Sequence, residues 1–223
     1  MFEDDLRPYA DRREAGKDLA NHLRTYAGKE DAIVLALPRG GVPVGYEVAE
    51  ALGVPLDVFL VRKLGTPGHR ELAMGAIASG GIRVLNDEVI DALRITAEQI
   101  DRAAREEEQE LRRREAFYKD DRPSPPLEGR TVILVDDGLA TGSSMRAAVE
   151  AVRQRGPAKV IVAVPVGARE TCEQLGALAD DVVCARTPYP FSAVGLWYRD
   201  FEQTSDDEVR SLLSAHAGLS KHS

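Results

Sequence analysis

The fold of this chain is best predicted from one stretch of its sequence, Val132-Ile133-Leu134-Val135-Asp136-Asp137-Gly138-Leu139-Ala140-Thr141-Gly142-Ser143-Ser144-Met145. Its first four residues are aliphatic, which is typical of a strand buried inside a parallel sheet. Two aspartates end this strand, and a short loop of small residues leads into a run with helical spacing at 145–152. The stretch therefore predicts a strand, a loop and a helix, with two carboxylates where the strand ends.

The loop in this stretch has the features of a phosphate-binding site. Free backbone amides at a helix N-terminus, with the positive end of the helix dipole, suit a phosphate dianion. Asp136 and Asp137 cannot bind phosphate directly, but they suit sugar hydroxyls or a Mg²⁺ ion that bridges to other phosphates. The ligand predicted by this combination is a phosphorylated sugar.

Other phosphate-binding and nucleotide-binding loops fit the stretch less well. A Walker A loop needs a lysine after its last glycine, and Gly142 is followed by two serines. A dinucleotide fingerprint needs the pattern G-x-G-x-x-G, which this loop lacks. A phosphorylation-receiver domain would need a lysine at the end of a later strand, where this chain has Pro165. An ordinary strand-to-helix turn accounts for the glycines but not for the two carboxylates.

Composition places the chain among acidic globular proteins. It has 223 residues, 43% of them hydrophobic, and a net charge of −8, which argues against nucleic acid as its main partner. We find no signal peptide and no apolar run long enough to cross a bilayer, and therefore expect a cytoplasmic protein. The two cysteines are Cys172 and Cys184, and neither their number nor their spacing indicates a metal site or a disulfide framework.

Strands and helices alternate along the chain. Apolar runs predict strands at 32–37, 56–61, 82–85, 132–135, 160–164 and 182–184, and helical spacing predicts helices at 12–26, 44–52, 96–119 and 170–179. Thr96-Ala97-Glu98-Gln99 has the pattern of a capping box, and segment 65–81 is rich in glycine. This order predicts an α/β fold, doubly wound around a mostly parallel sheet flanked by helices, with ligands at the carboxyl ends of the strands.

The segment from Asp136 to Ser143 resembles the phosphoribosyl-pyrophosphate motif of type I phosphoribosyltransferases. The resemblance implies that Asp136 and Asp137 bind the ribose hydroxyls, take part in catalysis and bind Mg²⁺ as the cofactor. It also implies a 5-phosphate site formed by Gly138, Leu139, Ala140, Thr141, Gly142, Ser143 and Ser144. The 6-oxopurine branch of the family has an aspartate in the place of Ala140, so this position resembles the adenine and uracil branches instead.

The whole chain resembles a bacterial group of stand-alone phosphoribosyltransferases at residues 2–4, 12–16 and 195–198. From this resemblance we expect a single domain over 1–223. Its core would span 32–185, with a helical insertion at 96–120 and a small C-terminal hood at 186–204. The insertion departs from the better-known branches, and it fits a dimer surface as well as a cover over the site.

Two further loops are expected at the same edge of the sheet. In the first loop, the paired glycines Gly40 and Gly41 let backbone amides approach an anion closely. Arg39, directly before them, adds a positive charge. The resemblance implies that this is the pyrophosphate loop and that it contains a cis peptide bond, for which we select Arg39–Gly40. Arg62 and Lys63 are expected to bind pyrophosphate at the end of the next strand, with Lys63 also catalytic. The glycine-rich segment after them resembles a mobile lid, in which Glu71 is a candidate for proton transfer.

Aromatic residues concentrate near the C-terminus. In the family, a hood segment at about this position covers the nucleobase, which makes Phe191 and Trp197 candidates for base binding. The same side chains could instead pack the segment onto the sheet.

Together these features predict a Mg²⁺-dependent phosphoribosyltransferase that transfers the phosphoribosyl group of phosphoribosyl pyrophosphate to a nitrogenous base in nucleotide salvage. A homodimer is expected. Two alternatives are a non-catalytic sensor of phosphoribosyl pyrophosphate and a transferase whose acceptor is an amine.

Overall fold

The computed structural model describes residues 7–119 and 122–219, without the side chains of Arg70, Glu71 and Leu219. In chain order its helices and strands are α1 (Arg12–His22), β1 (Ala32–Ala36), α2 (Gly41–Leu52), β2 (Leu56–Val58), β3 (Val61–Thr66), β4 (His69–Ala78), β5 (Ile82–Leu85), α3 (Asp87–Leu93), α4 (Ala97–Lys119), β6 (Thr131–Val135), α5 (Ser143–Arg153), β7 (Lys159–Val166), α6 (Arg169–Leu175), β8 (Asp181–Arg186) and α7 (Asp206–Leu219). Short 3₁₀ turns follow α1 at Arg24–Tyr26 and precede α7 at Val194–Trp197.

Five of these strands form the central sheet. They lie in the order β2-β1-β6-β7-β8, and every neighbouring pair is parallel. The prediction of a mostly parallel sheet with helices around it is confirmed. Because β1 and β6 are neighbours, the loops that follow them leave the same edge of the sheet side by side.

Alternate residues of the central strands pack into two separate cores. In β6, Val132 and Leu134 face a core that contains α5, whereas Ile133 and Val135 face a core that contains α1 and α2. All four of these side chains are fully buried. A strand covered on both faces has no polar side, which is why the continuous aliphatic run predicts it correctly.

A second sheet was not predicted from the sequence. It is antiparallel, with the order β3-β4-β5, and it occupies most of the glycine-rich segment that resembles a mobile lid. The predicted strand at 56–61 is in fact two strands, β2 and the start of β3, separated by Phe59 and Leu60. The pairing of β3 with β4 shifts register on both sides of Gly65, and such irregularity removes the alternation by which a strand is recognised.

Helix α4 covers the second sheet. The predicted capping box is confirmed, because the Thr96 amide donates to Gln99 Oε1 at 2.9 Å and the Gln99 amide donates to Thr96 Oγ1 at 3.3 Å. The buried residues of α4 join a core with β3 and with α7, a helix that was not predicted. Among the described residues, no helix is both long and apolar enough to cross a membrane.

The two cysteines form a disulfide bond, contrary to expectation. Cys172 lies in α6 and Cys184 in β8, and their Cα atoms are 6.7 Å apart. The two residues come together because α6 packs beside β8 after a short connection, a tertiary relation that cysteine spacing alone does not reveal.

Candidate active site

The two predicted substrate loops meet at the centre of the sheet edge. The Leu37 amide donates to the Val135 carbonyl at 2.8 Å, which joins the loop after β1 to the end of β6. A Cβ atom at Gly40 would lie 2.0 Å from Asp137 Oδ2, and one at Gly41 would lie 2.8 Å from the Val135 carbonyl oxygen. Glycine is therefore the residue that lets the loop after β1 lie directly against the acidic pair.

A non-proline cis peptide bond lies in this loop, but not where it was predicted. It joins Pro38 and Arg39, so the choice of Arg39–Gly40 was wrong by one bond. Gly40 has helical backbone angles and serves as the N-cap of α2.

The acidic pair is buried and its two carboxylates influence each other. Burial raises the pKa of Asp136 well above its ordinary value, and the neighbouring Asp137 carboxylate raises it further. Burial also raises the pKa of Asp137, while the guanidinium of Arg12 opposes that rise. The backbone amide of Asp137 donates to Asp136 Oδ1 at 2.9 Å. In the free protein, the two carboxyl groups therefore bind a proton more readily than an exposed aspartate does. A bound cation or bound hydroxyl donors would favour their charged forms instead.

Arg12 is a site residue that the sequence did not reveal. Its Nε lies 2.8 Å from Asp137 Oδ2, and only 12% of its side chain is exposed. Arg12 is the first residue of α1 and is 125 positions away from Asp137. Its neighbour Arg13 has the same residue type and a half-exposed side chain, so nothing in the local sequence distinguishes the two.

The predicted phosphate loop is held by the end of β7, by α6 and by the segment that connects them. The Leu139 amide donates to the Val166 carbonyl at 3.0 Å, and the Leu139 carbonyl accepts from Ala168 at 2.9 Å. Thr171 Oγ1 donates to the Ala140 carbonyl at 2.7 Å. These contacts use carbonyl groups of the loop and the amide of Leu139, and they fix its path from outside.

Helix α5 begins at Ser143 with its N-terminus open to a ligand. Its N-cap is Gly142, which has a left-handed backbone (φ 68°) and no side chain to cap the helix. Orphan amides at such an N-terminus are suited to an anion, and the helix dipole adds to the attraction. The predicted 5-phosphate site at residues 138–144 includes this N-terminus and stays a prediction.

The two predicted pyrophosphate ligands of β3 point to opposite faces of the strand. Arg62 forms an ion pair with Glu107 of α4. Lys63 instead lines a cavity of about 380 Å³ between the second sheet and α5, together with Ser143 and Ser144. The structure thus brings Lys63, but not Arg62, to the phosphate loop. Glu71 was the candidate for proton transfer, and its side chain lies outside the described residues.

Arg39 belongs to the loop after β1, and its side chain reaches Asp206 of α7. Its Nη1 is 3.8 Å from Asp206 Oδ1, and 33% of its side chain remains exposed. Asp206 also accepts a hydrogen bond of 2.5 Å from the Tyr118 hydroxyl at the end of α4. The position of Arg39 therefore depends on α7 and α4, two helices that lie outside the central sheet.

The aromatic residues of the C-terminal segment pack against the edge of the site. Phe191 and Trp197 are partly buried against a small core that contains Tyr9, Val166 and Tyr198. Tyr198 is almost fully buried, and its hydroxyl donates to the Asp137 backbone carbonyl at 2.6 Å. Packing onto the sheet, one of the two roles considered, is therefore present, and part of Phe191 and of Trp197 stays accessible.

The acidic pair fits a magnesium ion only in part. Among the described residues, no group of three or more histidine, cysteine, aspartate or glutamate side chains could hold a metal ion. Mg²⁺ usually binds to one or two carboxylates and takes its remaining ligands from water and substrate phosphates. Arg12 occupies Oδ2 of Asp137 and the Asp137 amide occupies Oδ1 of Asp136, so each carboxylate has a second oxygen for a ligand. The residues thus fit Mg²⁺ that is bound together with a phosphorylated substrate.

Comparison with known proteins identifies the family. A model of the phosphoribosyl transferase domain matches residues 10–189. The chain is 47% identical over 208 residues to "Putative phosphoribosyl transferase Rv0571c" and to "Putative phosphoribosyl transferase MT0597", both from Mycobacterium tuberculosis. The alignment covers 93% of this chain but 47% of each relative, so the chain spans about half the length of these curated relatives.

A solved structure agrees with this result over nearly the whole chain. It is the crystal structure of TT1426 from Thermus thermophilus, which is 45% identical to this chain, with a TM-score of 0.81. The superposition covers 92% of this chain and 97% of TT1426. The fold, the loop after β6 and the family model agree, and the chain belongs to the phosphoribosyl transferase family.

Proposed function

We propose that this protein transfers the phosphoribosyl group of phosphoribosyl pyrophosphate to a nitrogenous base and releases pyrophosphate, with Mg²⁺ as cofactor. The observation that carries the proposal is the contact between the loop after β1 and the acidic pair after β6. Gly40 and Gly41 lie against Asp137 and Asp136, and α5 begins a few residues later. The residues proposed to bind the pyrophosphate, the ribose hydroxyls and the 5-phosphate are thus adjacent in the structure.

Each part of the substrate has a proposed partner. The open N-terminus of α5 and the loop before it bind the 5-phosphate. Asp136 and Asp137 accept hydrogen bonds from the ribose 2- and 3-hydroxyls. The amides of Gly40 and Gly41 bind the pyrophosphate, and Arg39 and Lys63 supply positive charge. Arg62 is a weaker candidate for this role, because its guanidinium is paired with Glu107.

The reaction breaks the bond between the anomeric carbon and a pyrophosphate oxygen, and it forms a bond from that carbon to a nitrogen of the acceptor. Such a transfer passes through a state in which the sugar carries positive charge and the leaving group negative charge. Arg39, Lys63 and the loop amides would stabilise the leaving group, and bound Mg²⁺ would neutralise part of its charge. Phe191 and Trp197 are proposed to contact the base, and Glu71 to accept its proton.

The proposed setting of the enzyme is nucleotide salvage in the cytoplasm, with a homodimer as its assembly. The acidic composition, with a net charge of −8, argues against nucleic acid as the main partner. A sensor that binds phosphoribosyl pyrophosphate without turnover is the alternative. The intact pair of loops supports catalysis over sensing, because a sensor has no need to stabilise departing pyrophosphate.

Pyrophosphate release from phosphoribosyl pyrophosphate and Mg²⁺ tests the proposal when it is measured across a panel of purines, pyrimidines and amines. The inactive reference is an Asp136→Asn/Asp137→Asn double variant. The matched control is an Asp180→Asn/Asp181→Asn double variant, which changes another adjacent pair at the opposite end of the sheet, where β8 begins. Release with one base that is lost in the first variant and retained in the second would support the proposal. Release with an amine alone would exclude a base as acceptor, and binding without release would favour the sensor.

A further inference from the structure

Arg12 joins the acidic pair to the C-terminal segment through two different atoms of one guanidinium. Its Nε lies 2.8 Å from Asp137 Oδ2, and its Nη1 donates to the Glu202 backbone carbonyl at 2.7 Å. The side chains of Arg12 and Asp137 are 12% and 16% exposed. An exposed ion pair contributes little to stability and is not held in one geometry. This pair is mostly buried, and the two directed hydrogen bonds of Arg12 give it a defined geometry.

Aromatic rings hold this guanidinium from one side. Its central carbon lies 4.0 Å from the centre of the Phe201 ring and 6.0 Å from that of Tyr198. The two rings are stacked on each other, with centroids 5.0 Å apart. A guanidinium can contact a ring and donate two directed hydrogen bonds at the same time, whereas the ammonium of lysine is a compact point charge without this planar fork.

Asp137 is thus fixed at both ends. Arg12 fixes its carboxylate, and the Tyr198 hydroxyl fixes its backbone carbonyl at 2.6 Å. The position that a Cβ atom would take at Gly40 is 3.2 Å from Arg12 Nε and 2.0 Å from Asp137 Oδ2. The guanidinium therefore lies where α1, the loop after β1 and the loop after β6 converge.

We infer that Arg12 is a positioning residue for Asp137, and that it links this carboxylate to the C-terminal segment Phe201–Glu202. Because Oδ2 is held by Arg12, Oδ1 is presented to the substrate in one orientation. The inference rests on the proposed function, since the ligand that Asp137 receives is the ribose of phosphoribosyl pyrophosphate. Arg12 itself does not contact the reacting atoms.

The test is the dissociation constant of phosphoribosyl pyrophosphate with Mg²⁺, measured by calorimetry on the full chain. We expect Arg12→Gln to weaken binding by about tenfold or more, which is the scale of a lost hydrogen bond to a charged group. Arg12→Lys keeps the charge but lacks the planar fork that reaches both Asp137 and Glu202, so it should restore only part of the loss. Arg13→Gln is the matched control, because Arg13 pairs with Glu47 on the outside of α1 and should bind as the wild type does.

A double-mutant cycle separates positioning from a structural role. If Arg12 acts through Asp137, Arg12→Gln should change binding less than about twofold when Asp137→Asn is already present. The inference would be overturned if Arg12→Gln lowered the affinity equally in the wild-type and Asp137→Asn backgrounds. It would also be overturned if Arg12→Gln and Arg13→Gln had equal affinities, or if Arg12→Gln bound more tightly than the wild type. If Arg12→Gln does not fold, Arg12→Lys is used in the same cycle with the same criteria. A wild-type protein that does not bind phosphoribosyl pyrophosphate would overturn the proposed function and this inference with it.

Discussion

At Gly40 the two loops of the site leave no space for a side chain. A Cβ atom there would lie 2.0 Å from Asp137 Oδ2, so Gly40→Ala must displace either the loop or the carboxylate. We expect this variant to bind phosphoribosyl pyrophosphate at least about tenfold more weakly, since both displaced groups belong to the proposed site. Gly218→Ala in α7 is the control, because no atom of the described residues lies within 4 Å of a Cβ atom at that position. Equal affinity for the two variants would contradict the close approach.

The pKa of Asp136 makes a prediction about stability and pH. A buried aspartate with a raised pKa takes up a proton more readily when the chain folds, so its contribution to stability falls as pH rises above its ordinary value of 3.8. Asp136→Asn removes this unfavourable charge and keeps an oxygen for the Asp137 amide. The variant should therefore melt at a higher temperature than the wild type at neutral pH, without substrate or Mg²⁺. The difference should shrink as the pH is lowered towards 4.

Asp180 provides a control, because its substitution by asparagine is expected to change the melting temperature in the opposite direction. A hydrogen bond from the Val160 amide lowers the pKa of Asp180, so its stabilising effect is present at neutral pH and is lost as the pH falls through the lowered pKa. Asp180→Asn should accordingly melt below the wild type at neutral pH, with a difference that narrows in acid. The same sign of effect for both variants would contradict these electrostatic assignments.

The residues of the site fall into two groups with respect to prediction from sequence. Asp136, Asp137 and the loop after them are contiguous, and a strand-loop-helix order fixes their relative positions locally. Arg12 and Tyr198 reach Asp137 from 125 and 61 positions away, and their contacts depend on how the whole chain folds. No local pattern marks Arg12 as different from Arg13 or Tyr198 as different from Trp197, so sequence alone did not identify them.

Among the elements, α6 has a larger role at the site than its length suggests. Thr171 Oγ1 donates to the Ala140 carbonyl at 2.7 Å, and a Cβ atom at Gly142 would meet the Thr171 methyl group at 2.6 Å. Thr171→Val keeps the shape and removes the hydrogen bond. We expect it to weaken phosphoribosyl pyrophosphate binding by a few-fold, which corresponds to about 0.5–1.5 kcal/mol for one neutral hydrogen bond.

A second threonine shows whether that effect is local. Thr131 Oγ1 donates to Asp31 Oδ2 at 2.9 Å at the start of β6, far along the strand from the acidic pair. Thr131→Val should lower the melting temperature without changing the affinity for phosphoribosyl pyrophosphate. Loss of affinity in both variants would mean that general destabilisation, and not the support of the phosphate loop, is responsible.

The disulfide bond between Cys172 and Cys184 connects α6 to β8. Because Thr171 of α6 contacts the loop after β6, the bond anchors a helix that supports this loop. Reduction should lower the free energy of unfolding by about 2–4 kcal/mol, the usual effect of one such bond. Chemical unfolding with and without dithiothreitol measures this, and a Cys172→Ser/Cys184→Ser variant should be insensitive to the reductant. If dithiothreitol lowers the stability of that variant as much as that of the wild type, the effect does not come from this bond.

The central elements were predicted well because each is apolar on the faces that it buries. The predicted helix 44–52 lies within α2, which begins at Gly41 and ends at Leu52, where the left-handed Gly53 caps it. The second sheet was missed because its strands contain glycine and irregular pairing around Gly65. Helix α7 was missed as well, although its buried residues Val209, Leu212 and Leu213 have helical spacing.

At the scale of the whole molecule, the N-terminal segment at Tyr9 pairs with the segment 197–199, which precedes α7, beside the acidic pair. The Tyr9 amide donates to the Trp197 carbonyl at 2.9 Å, and the Arg199 amide donates to the Tyr9 carbonyl at 2.8 Å. This pairing lies next to Arg12 and Phe201, which contact each other. The central sheet supplies the two proposed substrate loops. The N-terminal segment supplies Arg12, which holds the Asp137 carboxylate, and the C-terminal segment supplies Tyr198, which holds the Asp137 backbone carbonyl.

The central claim is that the loop after β6 binds phosphoribosyl pyrophosphate through its acidic pair. Titration calorimetry of phosphoribosyl pyrophosphate into the wild-type chain, with and without Mg²⁺, tests it most directly. We predict saturable binding with one site per chain that Mg²⁺ strengthens and that the Asp136→Asn/Asp137→Asn variant weakens by about a hundredfold or more. Equal binding by the wild type and this variant, or none by the wild type, would contradict the claim.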